Sequence, residues 1–489
     1  MSLTEKELLA KVPTQLYIAG KWVTGNGTGS ITVEDPATGK PLAQIANAND
    51  KDALAALSAA SDAQDAWAAT APRERAEILR RTFELVKARS EEFAMLISLE
   101  MGKPLAEARG EVTYGNEFLR WFSEEAVRIT GRFGSSPEGT GRMLVAQRPV
   151  GPAFAITPWN FPLAMATRKI GPALAAGCTM VIKPAELTPL TTLLLAATLE
   201  EAGLPAGVVN VITTNTSAAT SAPIIADPRL RKITFTGSTS VGVRLLEQSA
   251  KQVLRTSMEL GGNAPFLVFE DADLDAAVTG AMLAKLRNIG QACTAANRFI
   301  VHESIADEFA NKMAEQMSAM PLGRGVDPET KIGPVINDKA RENLQRLVDA
   351  TVSEGGAILT GGKSVDRDGY FFEPTVLVDV KPGSTILQEE IFGPVAPIVR
   401  FKTEAEAIAL ANDTEYGLVS YAYTQDLKRG LRLVEKLDTG MTGLNTGLVS
   451  NAAAPFGGVK QSGLGREGGL EGIHEYLETK YVMIPDPNL

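Results

Sequence analysis

The chain has 489 residues, 44% of them apolar and 22% charged, with a net charge of −10 and a pI of about 5.1. That balance describes a globular protein long enough for several cores, and its acidity argues against nucleic acid or an anionic membrane as partner. No apolar run approaches the ~20 residues that span a bilayer, "MSLTEKELLAKVPTQ" lacks the pattern of a signal peptide, and two cysteines in this length argue against a disulfide framework and point to a reducing compartment, the cytoplasm.

Residues 50–127 carry apolar residues at spacings of three and four and predict helices. From 150 the period changes. "AFAIT" (153–157) and "TMVIK" (179–183) read as buried strands, followed by a helix from "TPLTTLLLAATLEEAG" that Gly203 ends. "GVVNVI" (207–212), "RKITFT" and "VLRTSME" are further strands, with helices around "SAPIIA" and from about Ser240. The alternation resumes with "APFLVF", a helix over 273–288, and "RFIVH". Strand–helix alternation predicts a parallel sheet covered on both faces. Two consecutive α/β units follow, divided near "ELGGN". The segment 138–150 and the tail "EYLETKYVMIP" read as strands outside both units, and exposed strand edges invite pairing with another chain.

Several short motifs sit at strand ends, where ligands of open α/β sheets bind. "PWNFP" (158–162) freezes the backbone around Asn160 between two prolines, as a preorganised oxyanion donor requires; it is equally a packed turn. "KPAE" places Lys183 and Glu186 where they can meet ribose hydroxyls, or simply be solvated. "GSTSVG", Gly237 to Gly242, opens a helix after a strand and suits a phosphate, although Thr239 replaces the middle glycine of the dinucleotide fingerprint; alone it is also a plain tight turn. No Walker lysine follows it. "MELGGNAP" puts Glu259 between apolar neighbours that raise a carboxylate's pKa toward that of a general base, against the alternative of a surface glutamate. "GQACTAANR" holds Cys293. A catalytic cysteine usually has a histidine base, and the chain has only His302 and His474. Cys178 leads into a core strand and reads as packed.

Taken together and in this order, "PWNFP", "GPALAAGC", "KPAE", "FTGSTSVG", "MELGGNAPF", "GQACTAANR", "EEIFGP" and "PFGGVKQSGLGREGG" resemble the aldehyde dehydrogenase superfamily over nearly the whole chain. In that family the cysteine needs no histidine. The resemblance implies an α/β fold of two parallel-sheet domains, one Rossmann-like, with a small β oligomerisation element. The ranges are 1–130 and 150–258 for the cofactor domain, 259–465 for the catalytic domain, and 131–149 with 475–489 for the third element. It implies Cys293 as nucleophile, Asn160 as oxyanion donor, Glu259 as base, and Lys169 with Glu467 as a supporting pair. For the coenzyme, NAD by preference or NADP, it implies Thr157, Pro158, Trp159, Lys183, Glu186, Gly237, Ser238, Gly242, Glu390 and Phe392. No metal is implied.

Within the superfamily the chain most resembles the bacterial succinate-semialdehyde dehydrogenases. "TRKIGPALAAGC", "KLRNIGQAC" and "NTGLVSNAAAPFGG" carry Arg168, Arg287 and Ser450, which with Phe456 match a grip on the distal carboxylate of a semialdehyde. Ala295 stands where some relatives have a second cysteine, and Ala452 where glutamate is frequent. The expected partners are this small substrate and further copies of the chain, as a homodimer or homotetramer. Glutarate semialdehyde and general aldehydes are the alternative substrates. A non-catalytic binding protein on this fold, a CoA-acylating relative and a cysteine hydrolase are the rival readings. The complete Asn160–Glu259–Cys293 set opposes the first, Glu259 the second, and the lack of a partner histidine the third.

Overall fold

The computed structural model describes residues 4–486. Residues 1–3 of the expected cofactor domain and 487–489 of the expected oligomerisation tail lie outside the described residues.

The fully apolar strand sequences dictate a layered architecture, because a strand with no polar face needs cover on both sides. Ala153–Ile156, Met180–Lys183 and Lys232–Thr236 are buried at every position. Alternate residues serve opposite layers: Ala153 and Ala155 join the core beneath the helices Pro162–Ala176 and Leu190–Glu201, while Phe154 and Ile156 join the core on the other face. The chain runs outward from Ala153–Ile156 through Met180–Lys183 to Val209–Val211. It then returns to the other side of the first strand for Lys232–Thr236 and Arg255–Glu259, all five strands parallel. The direction of progress thus reverses between Ala153–Ile156 and Lys232–Thr236. That reversal opens a crevice at their carboxyl ends, bordered by the loop 157–160 and by Gly237.

A second sheet of seven strands, six of them parallel, is built around Ala264–Val268 and Ala296–His302. It carries its own cores on both faces. A third sheet is antiparallel: Leu477–Pro485 pairs along its whole length with Gly141–Pro149, which also pairs with Arg132–Ser135. Among the described residues no helix is long and apolar enough to cross a membrane.

Three details differ from the sequence reading. The first sheet gains an antiparallel edge, Leu16–Ile18 and Lys21–Val23, joined by a two-residue turn at Ala19 and Gly20, both at positive φ. Gly463–Leu464, inside the range 259–465 assigned to the catalytic domain, pairs with Met258 and Glu259 at the other edge of the first sheet. The helix predicted over 273–288 ends at Leu286, because Asn288, Ile289 and Gly290 take left-handed backbone, φ 56°, 60° and 74°. This turn breaks the helix and brings the chain around toward Cys293.

Candidate active site

A cavity of about 220 Å³ lies at the crevice and joins the two parallel-sheet units. Cys293 and Glu390 from the second unit line it, as do Asn160, Glu259 and Gly237 from the first. Asn160 follows the strand Ala153–Ile156, and Glu259 is the last residue of Arg255–Glu259; the two strands flank Lys232–Thr236, and their carboxyl ends bring both groups to the cavity that holds the cysteine. Asn160 is 3% exposed and donates from Nδ2 to the Gln291 carbonyl at 3.1 Å, two residues before Cys293.

The electrostatics describe a resting site. Burial pushes the Cys293 thiol up to about 12; Arg168 opposes this, and Glu390 and Glu259 add to it. The thiol is therefore protonated at neutral pH until a base takes its proton. Glu259 is raised well above the usual carboxylate range, first by burial and then by Glu467. Its Oε2 has no hydrogen-bond partner, so the acid form is stable and one oxygen is free to exchange a proton. Glu467 behaves in the opposite way. Burial raises it, but Arg168 and Lys169 outweigh burial and hold it ionised. Lys169 Nζ meets Glu467 Oε1 at 2.5 Å and Thr234 Oγ1 at 3.2 Å. Two acids are thus set apart by environment, as acid–base chemistry at neutral pH requires.

The two arginines differ. Arg287 lines a second cavity of about 440 Å³ together with Tyr114, Phe161, Leu448 and Ser450. Its Nη1 donates to Ser450 Oγ at 3.1 Å, and its guanidinium lies 5.0 Å from the centre of the Phe161 ring. The two cavities flank the Asn160–Phe161 step. Arg168 does not line the Arg287 cavity, a correction to the expectation of two equivalent grips. It is 1% exposed, with Nε 2.5 Å from Glu467 Oε2 and its guanidinium 4.0 Å over the Phe456 ring. The physical reason is that a buried guanidinium needs a counter-charge, and Glu467 provides it. Arg168 Nη2 has no hydrogen-bond partner among the described residues.

A third cleft, of about 620 Å³, runs along the carboxyl edge of the first sheet and is lined by Thr157, Pro158, Trp159, Lys183, Glu186 and Ser238, among others. Lys183 donates to Ser217 Oγ at 3.1 Å, and burial lowers its pKa while Glu186 opposes the shift. Gly237 lines the cleft at the head of the helix Thr239–Ala250, whose first-turn N–H groups favour an anion. Gly242 does not line it. A Cβ there would come within 2.4 Å of Leu260, so this glycine serves close packing of the helix. Glu390 accepts from the Gly262 N–H at 3.2 Å, and burial raises it to about 7. Phe392 packs edge-on against Trp159 with ring centres 5.4 Å apart. An elongated cleft with a carboxylate–ammonium pair at one end and a helix start midway fits a dinucleotide. No group of three or more His, Cys, Asp or Glu suited to a metal occurs among the described residues.

Sequence reasoning passed over Lys103, Glu111 and Asn288, buried around Asn160, and the half-buried Glu107. Lys103 donates to the Asn160 carbonyl at 2.8 Å and to Glu111 Oε2 at 2.5 Å. The available signal was two carboxylates, four residues apart, on the helix Leu105–Glu125.

Known proteins resemble the chain along nearly its whole length. The model of the "Aldehyde dehydrogenase family" matches residues 22–482. A succinate-semialdehyde dehydrogenase of Paenarthrobacter nicotinovorans is 62% identical over 446 residues, 91% of this chain and 99% of that protein. A glutarate-semialdehyde dehydrogenase of Pseudomonas putida is 47% identical over 484 residues, 99% of this chain and 100% of that protein. The crystal structure of an Escherichia coli NADP-dependent enzyme, 47% identical, superposes with a TM-score of 0.97 over 99% of this chain and 100% of that one. With the family model and these relatives matching nearly the whole chain, and the fold superposing, the chain belongs to the aldehyde dehydrogenase family.

Proposed function

We propose that the chain oxidises succinate semialdehyde to succinate with NAD(P)+, with Cys293 as nucleophile. The observation that carries the substrate is the Arg287–Ser450 pair, one residue step from the Cys293 cavity and set in otherwise apolar walls. A guanidinium beside a hydroxyl suits a carboxylate, and the apolar walls suit the methylenes between it and the aldehyde.

Glu259, in its ionised form, takes the thiol's proton and passes it to solvent, and the thiolate attacks the aldehyde carbon. Negative charge moves to the aldehyde oxygen, where Asn160 Nδ2 and the backbone N–H of Cys293 receive it. Asn160 Nδ2 has two hydrogens; Gln291 O takes one and the other remains for the oxyanion. When bound, the nicotinamide supplies the acceptor for the hydride that leaves this carbon. The thioester left on Cys293 is opened by water; Glu259, in its ionised form, takes the water's proton and returns it to the departing Cys293 thiolate, so that succinate and the free thiol are released. Thr157, Pro158, Trp159, Lys183, Glu186, Gly237 and Ser238 would hold the coenzyme along its cleft, and Glu390 with Phe392 its nicotinamide end.

NAD is the favoured coenzyme in this reading. Glu186 accepts from ribose hydroxyls and repels a 2′-phosphate, while the ammonium of Lys183 already donates to Ser217. Glutarate semialdehyde is the second reading. The Arg287 cavity of about 440 Å³ has room for one more methylene, and such a change seldom alters binding by more than about 1–3 kcal/mol. The protein acts in the cytoplasm as a homodimer or homotetramer. The unpaired edge at Arg132–Ser135, with Phe133 and Tyr481 exposed, supports assembly. The test is kcat/KM for succinate semialdehyde, glutarate semialdehyde and butanal with each coenzyme. A preference for either semialdehyde of about tenfold or more over butanal is expected; equal rates refute the proposal.

A further inference from the structure

We propose that Lys103 and Asn288 are positioning residues of the oxyanion site, fixing the Asn160 amide through Asn160's own backbone carbonyl. The inference rests on the reading of Asn160 as the oxyanion donor.

That carbonyl accepts two buried hydrogen bonds, from Lys103 Nζ at 2.8 Å and from Asn288 Nδ2 at 3.0 Å. Asn288 Nδ2 also donates to Gln291 O at 2.8 Å, and the same oxygen accepts from Asn160 Nδ2 at 3.1 Å. The ring is closed: the loop that carries Asn160 and the loop that leads to Cys293 are tied at both the main chain and the side chain of Asn160. Nothing in it faces water, since Lys103 and Asn288 are 0% exposed.

The ring is anchored from one helix. Glu111, on Leu105–Glu125, accepts from Lys103 and from the Leu163 and Ala164 N–H groups at the start of the helix that follows Asn160. One turn earlier, Glu107 accepts from the Asn288 N–H. Asn288 and Ile289 stand in left-handed backbone, which asparagine tolerates but which is an outlier for the β-branched isoleucine. Such a conformation persists where its surroundings over-determine it, and these contacts do so. The Phe161 ring, 3.9 Å from Lys103 Nζ, closes the remaining side. A donor aimed at a charge that exists only in the transition state must be held before that charge appears, and a displacement near 1 Å costs on the order of a hundredfold.

The test measures the pre-steady-state burst of reduced coenzyme with succinate semialdehyde. One variant is Lys103→Met with Glu111→Gln, which leaves no unpaired buried charge. A second is Asn288→Gly, which removes the amide and suits positive φ. Each is made alone and with Asn160→Ala, and coenzyme affinity is measured throughout. Each is expected to slow the burst about tenfold to a hundredfold with coenzyme Kd unchanged within about twofold. In the Asn160→Ala background each should change the burst by less than about twofold, because they act through the same amide. A full additional loss in that background means a general structural role and overturns the proposal, as does an unchanged burst in the parent. If the Lys103 variant does not bind coenzyme, Asn288→Gly decides by the same two comparisons. If Asn160→Ala itself leaves the burst intact, the reading of Asn160 has failed, and this proposal falls with it. A slow Asn160→Ala beside normal Lys103 and Asn288 variants removes this proposal alone.

Discussion

Replacing Arg287 by alanine separates recognition of the distal carboxylate from the chemistry. Among the described residues Arg287 has one hydrogen bond, to the Ser450 hydroxyl at 3.1 Å, and no carboxylate partner within ion-pair distance. Its other N–H groups are therefore free for a ligand. A charge-assisted hydrogen bond contributes about 1.5–3 kcal/mol, and about 1.4 kcal/mol is tenfold in rate. The site is partly desolvated, which strengthens the contact but also costs free energy when the guanidinium loses water. A loss of about tenfold to a hundredfold in kcat/KM for succinate semialdehyde follows. Butanal, with no carboxylate to place, should lose no more than about threefold, from the missing wall beside Phe161 and Tyr114. The assay is reduced-coenzyme formation with each aldehyde across a concentration series. Equal losses for both aldehydes would refute the reasoning, because Arg287 would then support the fold of the site and not the carboxylate.

Arg168→Ala should behave differently: it removes one of the two counter-charges of buried Glu467 and leaves Lys169, so both aldehydes lose activity and the unfolding free energy falls by about 1–3 kcal/mol, read by denaturant titration. Normal stability with a loss confined to semialdehydes would contradict this. Because burial pushes the Cys293 thiol up to about 12, alkylation of the coenzyme-free enzyme by iodoacetamide should rise about tenfold per pH unit from about pH 7 to 9 without a plateau; a plateau near neutrality would show a resting thiolate. Mild peroxide should inactivate by oxidising Cys293 without forming an intramolecular disulfide, since Ala295 offers no thiol and Cys178 is buried before the start of Met180–Lys183, at the end of the sheet opposite the site. A Cys178–Cys293 bridge in peptide maps would refute that.

The five parallel strands of the first sheet and the two central strands of the second were legible because apolar runs such as "KITFT" have no polar face to hide, and the two-unit order followed from their alternation with helices; the other five strands of the second sheet, between Ala357 and Leu444, were not read from the sequence. The residues that gather around Cys293 were legible because they sit at strand ends between prolines and glycines, where chain geometry leaves little choice. The hairpin at 16–23 was not, since three-residue strands joined by Ala-Gly carry too little pattern. The end of the helix at Leu286 was hidden because "KLRNIG" keeps a helical spacing, and the left-handed turn at Asn288 is held by contacts from Glu107 and Gln291 in three dimensions. Lys103, Glu107 and Glu111 drew no reading from the sequence, because the carbonyl and N–H groups they meet belong to loops distant in the chain. The pairing of Arg168 with Glu467 was unreadable for the same reason: two charges at opposite ends of the sequence become partners only after the segment near 463 returns to the first sheet.

The most direct test of the account traps the covalent intermediate. Glu259→Gln removes the base for water, so after coenzyme reduction the acyl group should remain on the enzyme. The variant is mixed with coenzyme and equal concentrations of succinate semialdehyde and butanal, quenched, digested and mapped by mass spectrometry. The account predicts a succinyl thioester on Cys293, well in excess of any butyryl adduct. Butyryl in equal amount, an acyl group on another residue, or continued turnover with no trapped acyl group would contradict it.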